Sequence, residues 1–203
     1  MVLVVDFYDS FTYNLAHYFE NGGEKVEIVF HDHLIIGSLS NYSLVVLSPG
    51  PGLPAEKVNM FECIEYCQLN DVPLFGVCLG FQALALFKGG KLENQDKVMH
   101  GVSTRLRGIS PKSFLFRGIE DYSKVGLYHS WKVCNLDEKY VMAKSEVDVP
   151  MALESMEDKF LGVQFHPESI MTESGMKIIE NVINWKNQII AKNRPNSLKS
   201  HTE

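Results

Sequence analysis

The chain has 203 residues, 45% of them hydrophobic and 22% charged, with a formal net charge of −6. This length and apolar content suit one globular domain with its own core and exclude a disordered chain. The acidic balance, without a long basic run, points away from nucleic acid and anionic membranes as partners.

The opening run Met1-Val2-Leu3-Val4-Val5-Asp6 lacks a leading positive charge and ends in an acid, unlike a secretory signal. No window reaches the apolar length of a membrane span, so a cytoplasmic location with reduced cysteines is expected. Within that run, Val2 to Val5 is continuously apolar and β-branched, as in a strand covered on both faces. A helix follows, with Phe11, Leu15, Tyr18 and Phe19 on one face, Ser10 as its expected cap and Gly22-Gly23 as its stop. Val26 to Phe30 and Leu44 to Leu47 are predicted strands. The second ends in Ser48-Pro49-Gly50-Pro51-Gly52-Leu53-Pro54, whose three prolines and two glycines exclude regular structure and leave a shaped loop.

Helix is expected again from about Glu56 to Leu69. Cys63 and Cys67 lie one turn apart on it and are read as buried structural thiols, because no second ligand pair follows at zinc-site spacing. Leu74 to Val77 is a predicted strand, and Leu79 to Phe87 an almost wholly apolar helix ended by Gly89-Gly90. From Lys91 to about Phe165 the pattern becomes short β-like runs, namely 101–106, 124–131, 140–144, 151–155 and 160–165. A last helix from about Ser174 to Ile190 places Ile179, Val182, Ile183 and Ile190 on one side. The expected fold is α/β: a single domain, residues 1–190, with a central mostly parallel sheet flanked by helices and a strand-rich second half, then a polar, flexible tail over 191–203.

Gly76-Val77-Cys78-Leu79-Gly80 sets a cysteine between glycines where an apolar strand gives way to an apolar helix, the pattern of a nucleophile elbow with sulfur in place of hydroxyl. The glycines allow close strand–helix packing, and the positive end of the following helix favours negative charge on the sulfur. A base is supplied by Phe165-His166-Pro167-Glu168-Ser169, expected as an extended segment in which Glu168 and His166 project to the same side and the carboxylate fixes the imidazole tautomer. Attack on an amide also needs donors for the oxyanion. The amides of Leu79 and of Gly52, a glycine in the neighbouring loop, are the candidates, and no P-loop lysine accompanies that loop.

Five segments carry a resemblance to a known family: Asp6 to Leu15, Ser48 to Pro54, Gly76 to Gln82, Tyr128-His129-Ser130, and Gly162 to Ser169. In this order and spacing they resemble the triad-type (class I) glutamine amidotransferases, and within these the small subunits of anthranilate synthase and aminodeoxychorismate (para-aminobenzoate) synthase. The resemblance implies a γ-glutamyl thioester on Cys78, proton transfer by His166 and orientation by Glu168. It implies glutamine binding at Gly50, Pro51, Gly52, Gln82, Ser130 and the Trp131 backbone, with no cofactor or metal in this chain. The implied substrate is L-glutamine and the implied partner a chorismate-binding large synthase subunit, whichever of the two products results. Phe7, Phe81, Val102 and Trp131 depart from the usual pattern, where asparagine, histidine, lysine and leucine are common. None of the four is a triad member, so hydrolysis is expected to survive, and it is coupling to the partner, or the partner's identity, on which these departures bear. Two further classes share these motifs: a non-catalytic regulatory module of the same fold, and a stand-alone cysteine hydrolase of γ-glutamyl peptides.

Overall fold

The computed structural model describes residues 1–193; the remainder of the expected tail, 194–203, lies outside the described residues. Among the described residues seven strands form one sheet in the order β2-β1-β3-β4-β9-β8-β7. These are β1 (Val2–Asp6), β2 (Val26–Phe30), β3 (Leu44–Leu47), β4 (Leu74–Val77), β7 (Val141–Lys144), β8 (Pro150–Ser155) and β9 (Phe160–Val163). The five neighbours from β2 to β9 are parallel, and β8 and β7 close the sheet antiparallel.

Side chains alternate across a strand, so each apolar run feeds two cores at once. Val2 and Val4 of β1, with Leu44 and Val46 of β3, face one core, where α1 (Thr12–Asn21) and α4 (Gly175–Asn193) bring Leu15, Phe19, Ile179 and Val182. Leu3 and Val5, with Val45 and Leu47, face the other. There α2 (Met60–Leu69) and α3 (Leu79–Phe87) bring Met60, Ile64, Phe81 and Leu84. Cys63 and Cys67 are fully buried in this second core. No helix among the described residues is long and apolar enough to cross a membrane. Nor does a group of three or more His, Cys, Asp or Glu side chains suited to a metal occur among them.

Away from the site described below, the structure departs from the sequence reading at four places. Ser10 does not cap α1; the Asp9 carboxylate accepts the Phe11 amide at 2.8 Å, and the buried Asp6 carboxylate takes the amides of Tyr8 (2.8 Å) and Asp9 (3.2 Å) and the Thr12 hydroxyl (2.8 Å). The helix expected from Glu56 is a single 3-10 turn, Pro54–Glu56, followed by α2; the chain breaks at Asn59, whose φ of 65° is left-handed and whose side chain donates to the carbonyl of His31 at 2.8 Å. The run expected at 101–106 is the end of a longer strand, β5 (Lys91–Arg105), which pairs with β6 (Lys124–Cys134) as a separate antiparallel ribbon. Its first half alternates Leu92 with charged and amide residues, and bulges interrupt the register between Asn94 and Met99, so no clean period marks it. Finally, α4 continues to Asn193, past the expected helix end at about Ile190.

Candidate active site

β4 is the central strand of the seven-stranded sheet, and one residue separates its end from the start of α3. Cys78 between them has φ 52° and ψ −96°, a strained conformation for a residue with a side chain. Its amide donates to the Val163 carbonyl at 2.9 Å, extending the β4–β9 pairing through the turn. The glycines are steric requirements: a Cβ at Gly76 would lie 2.5 Å from the Gly80 backbone, and one at Gly80 would lie 2.4 Å from the Leu47 carbonyl oxygen. Helix and strand thus meet at backbone distance, and Cys78 stands at the carboxyl edge of the sheet, where open α/β sheets bind ligands.

His166 and Glu168 follow β9, the strand beside β4. Their contact does not come from an extended segment, as the sequence reading had it. The Ser169 amide donates to the His166 carbonyl at 3.2 Å, closing a turn with Pro167 at its second position, where a fixed φ is favoured. The turn brings imidazole Nδ1 and carboxylate Oε1 to 2.7 Å, with both side chains almost fully buried. Thr172 Oγ1 donates to the His166 carbonyl at 2.6 Å, and Gly175 lets α4 begin against Pro167, whose oxygen would be 1.8 Å from an added Cβ. Neither His166 Nε2 nor Glu168 Oε2 has a hydrogen-bond partner among the described residues. Burial works to push the His166 pKa down, but the charge of the nearby Cys78 and the charge and hydrogen bond of Glu168 outweigh it and hold it well above the usual histidine range.

In front of Cys78 lies a cavity of about 210 Å³ lined by Gly50, Pro51, Gly52, Cys78, Leu79, Gln82, Tyr128, His129, Ser130 and Trp131. Three elements build it: the loop after β3, the start of α3 and the middle of β6. The catalytic, oxyanion and substrate-binding candidates from sequence all line this cavity except His166 and Glu168. Gly52, with φ 76°, takes a conformation that glycine alone adopts freely, and a Cβ at Gly50 would collide with Phe7 and Leu79 at 2.6 and 2.7 Å. Leu79 is the first residue of α3, so its amide has no carbonyl one turn back to bond. Gln82 Nε2 donates to the Trp131 carbonyl at 3.1 Å and to Gln164 Oε1 at 3.2 Å. A larger surface hollow of about 470 Å³ runs along β7 and β8 past Glu154, but that carboxylate already accepts from Ser113 Oγ and from the Leu115 amide at 2.9 Å, a structural role.

A model of the family described as glutamine amidotransferase class-I matches residues 3–185. The chain belongs to this family. It is 38% identical over 199 residues to the pyocyanine-specific anthranilate synthase component 2 of Pseudomonas aeruginosa, covering 95% of this chain and 98% of that one. It is also 38% identical over 183 residues to an aminodeoxychorismate synthase of Streptomyces griseus, where the match takes 88% of this chain but 25% of the relative. A crystal structure of a GMP synthase subunit from Thermoplasma acidophilum superposes with a TM-score of 0.84 over 94% of this chain and 96% of its own, at 22% identity, a likeness of fold.

This amidotransferase also places residues at the site that sequence reading left unassigned. Phe11, from the loop before α1, and Tyr128, from β6, flank the His166 ring with centroids at 5.1 and 4.9 Å in edge arrangements. Tyr128 is held in turn by a 3.0 Å hydrogen bond between its hydroxyl and Ser169 Oγ. His129 Nδ1–H donates to the Trp131 carbonyl at 2.8 Å, and burial, assisted by the nearby His166, lowers its pKa to about 4. It is therefore neutral at physiological pH. Gln164, fully buried after β9, donates from Nε2 to Cys78 Sγ at 3.7 Å. All four lie within or beside the recognised motifs; what identifies them is contact between distant elements.

Proposed function

We propose that this chain is the glutamine-hydrolysing subunit of a two-component amidotransferase, with Cys78, His166 and Glu168 as its catalytic triad. The observation that carries the reading is the buried 2.7 Å His166–Glu168 pair beside a strained cysteine that opens onto a cavity of amino-acid size. The sulfur attacks the side-chain amide carbon of L-glutamine, and the amides of Leu79 and Gly52 are the donors for the oxyanion. His166 passes a proton to the leaving nitrogen, so the C–N bond breaks, ammonia departs and a γ-glutamyl thioester remains on Cys78. His166 then takes a proton from water as the water attacks the thioester; glutamate leaves and the sulfur is regenerated. Glu168 keeps the proton on Nδ1 and stabilises the imidazolium. No cofactor or metal enters this balance.

Gly50, Pro51, Gly52, Gln82, Ser130 and the Trp131 backbone hold the substrate. Both amide hydrogens of Gln82 are engaged within the protein, which leaves Oε1 as the acceptor it offers to the cavity, a group suited to an ammonium. The ammonia goes to a chorismate-using partner subunit. This is supported by the names of the relatives and by the Streptomyces griseus protein, in which the matching segment is joined to a much longer chain. The test is the rate of glutamate release with and without candidate large subunits, followed by analysis of the product from chorismate. Stimulation with formation of anthranilate or aminodeoxychorismate supports the reading. Equal rates with no aminated product refute the coupling, and turnover of larger γ-glutamyl peptides by the isolated chain would favour a stand-alone hydrolase.

A further inference from the structure

We propose that Gln164 is a positioning residue that aims an N–H at the Cys78 sulfur, its orientation fixed by a hydrogen-bond chain running from the wall of the substrate cavity. The inference rests on the reading of Cys78 as nucleophile and adds a residue to it. Gln164 is completely buried, and its amide donates to the Met151 carbonyl at 2.8 Å, which ties its backbone to β8.

A glutamine side chain has a donor end and an acceptor end, and which faces the sulfur follows from its neighbours. The far end of the chain is the Trp131 backbone carbonyl, which can only accept. It takes Gln82 Nε2 at 3.1 Å, so the NH₂ group of Gln82 faces inward. The second hydrogen of that group meets Gln164 at 3.2 Å, and only Oε1 can receive it. The remaining group of Gln164 is then its NH₂, which faces Cys78 Sγ at 3.7 Å. Reversing the amide would oppose two N–H groups at Gln82 and turn a carbonyl oxygen toward the sulfur. His129 adds a second donor to the same Trp131 carbonyl at 2.8 Å, which holds that end of the chain in place.

Stability alone does not call for an amide at this position, because an apolar side chain of the same shape in place of a buried hydrogen-bonding group is often nearly neutral. What the amide supplies is a donor directed at a group that carries negative charge in the working enzyme. It favours the ionised sulfur and restrains its rotamer, and Gln164 itself stands outside the lining of the cavity.

The experiment is alkylation of the intact protein by iodoacetamide as a function of pH, read on the Cys78 peptide by mass spectrometry so that Cys134 and the buried thiols do not contribute. Gln164→Met keeps the shape and removes the donor. Its alkylation curve is expected to move to higher pH, so that on the rising limb Cys78 reacts roughly fivefold to tenfold more slowly than in the wild type, with the high-pH plateau unchanged. A merely structural role would not move this curve, and superimposable curves overturn the proposal. If Gln164→Met does not fold, Gln82→Met, which removes the group that orients Gln164, decides the matter: an upward shift supports the chain and an unchanged curve overturns it. Wild-type protein whose Cys78 does not alkylate at any pH would instead defeat the nucleophile assignment itself.

Discussion

Replacing Glu168 by glutamine separates what the carboxylate does for catalysis from what it does for the fold. The side chain is fully buried, Oε1 sits 2.7 Å from His166 Nδ1, and Oε2 has no partner among the described residues. The carboxylate helps hold the buried His166 protonated, so a neutral amide of the same shape leaves that imidazolium without its counter-charge, and thermal stability is expected to fall. The loss of activity is expected to be larger and separable from it. If the amide turns its NH₂ toward Nδ1, the imidazole must protonate on Nε2 and cannot act as a base. If it turns its oxygen, the tautomer survives but the charge opposite the imidazolium is gone. Loss of the orienting carboxylate in acid–base triads costs on the order of 10²- to 10⁴-fold in kcat, equivalent to about 3–5 kcal/mol of barrier. The assay is steady-state glutamate release beside thermal denaturation of the same preparation. A Glu168→Gln protein within threefold of wild-type kcat would refute the assigned role.

His129 is neutral in the fold, with a pKa of about 4 against 6.5 in the unfolded chain, so folding is favoured above pH 6.5 and that stability drains away as the pH falls toward 4. Between pH 7 and pH 5 the loss from this group is about 2 kcal/mol, and His129→Gln should flatten that part of a urea-denaturation pH profile; an unchanged slope would contradict it. Gly80→Ala places a methyl 2.4 Å from the Leu47 carbonyl oxygen, backbone against backbone, and is expected to cost more than about 2 kcal/mol or prevent folding, measured by denaturant titration. Phe11→Ala removes an aromatic wall 5.1 Å from the His166 ring and is expected to lower kcat roughly tenfold with little change in KM; an unaltered kcat would make the contact simple packing.

Sequence was most informative where one local rule decided the outcome. β1, β3, β4 and α3 follow their apolar runs because both faces of the sheet are covered, and the change from strand to helix around Cys78 falls where the paired glycines put it. The residues Gly50, Gly52, Gln82, Ser130 and Trp131 were singled out through motif resemblance, and the structure places them around one cavity. Strand β5 was only half legible, because Leu92 is the lone apolar residue among its opening residues and its register is broken by bulges. The His166–Glu168 contact was anticipated for the wrong geometric reason, since Pro167 makes a turn rather than an extended strand. Ser10 does not cap α1, which begins without a side-chain cap, while Asp6 and Asp9 take up the amides of the loop before it. Gln164 and His129 lay within recognised motifs but without an assigned role, because their partners, Cys78 and Trp131, are set by tertiary contact and not by any period along the chain.

The most direct test of the account is chemical capture of its intermediate. Rapid acid quench of the protein turning over L-glutamine, alone or with its partner, followed by mass spectrometry, should find one γ-glutamyl group bound as a thioester on the peptide carrying Cys78, and none in Cys78→Ala. Glutamate release that persists in Cys78→Ala, or a γ-glutamyl group trapped on another residue, would contradict it.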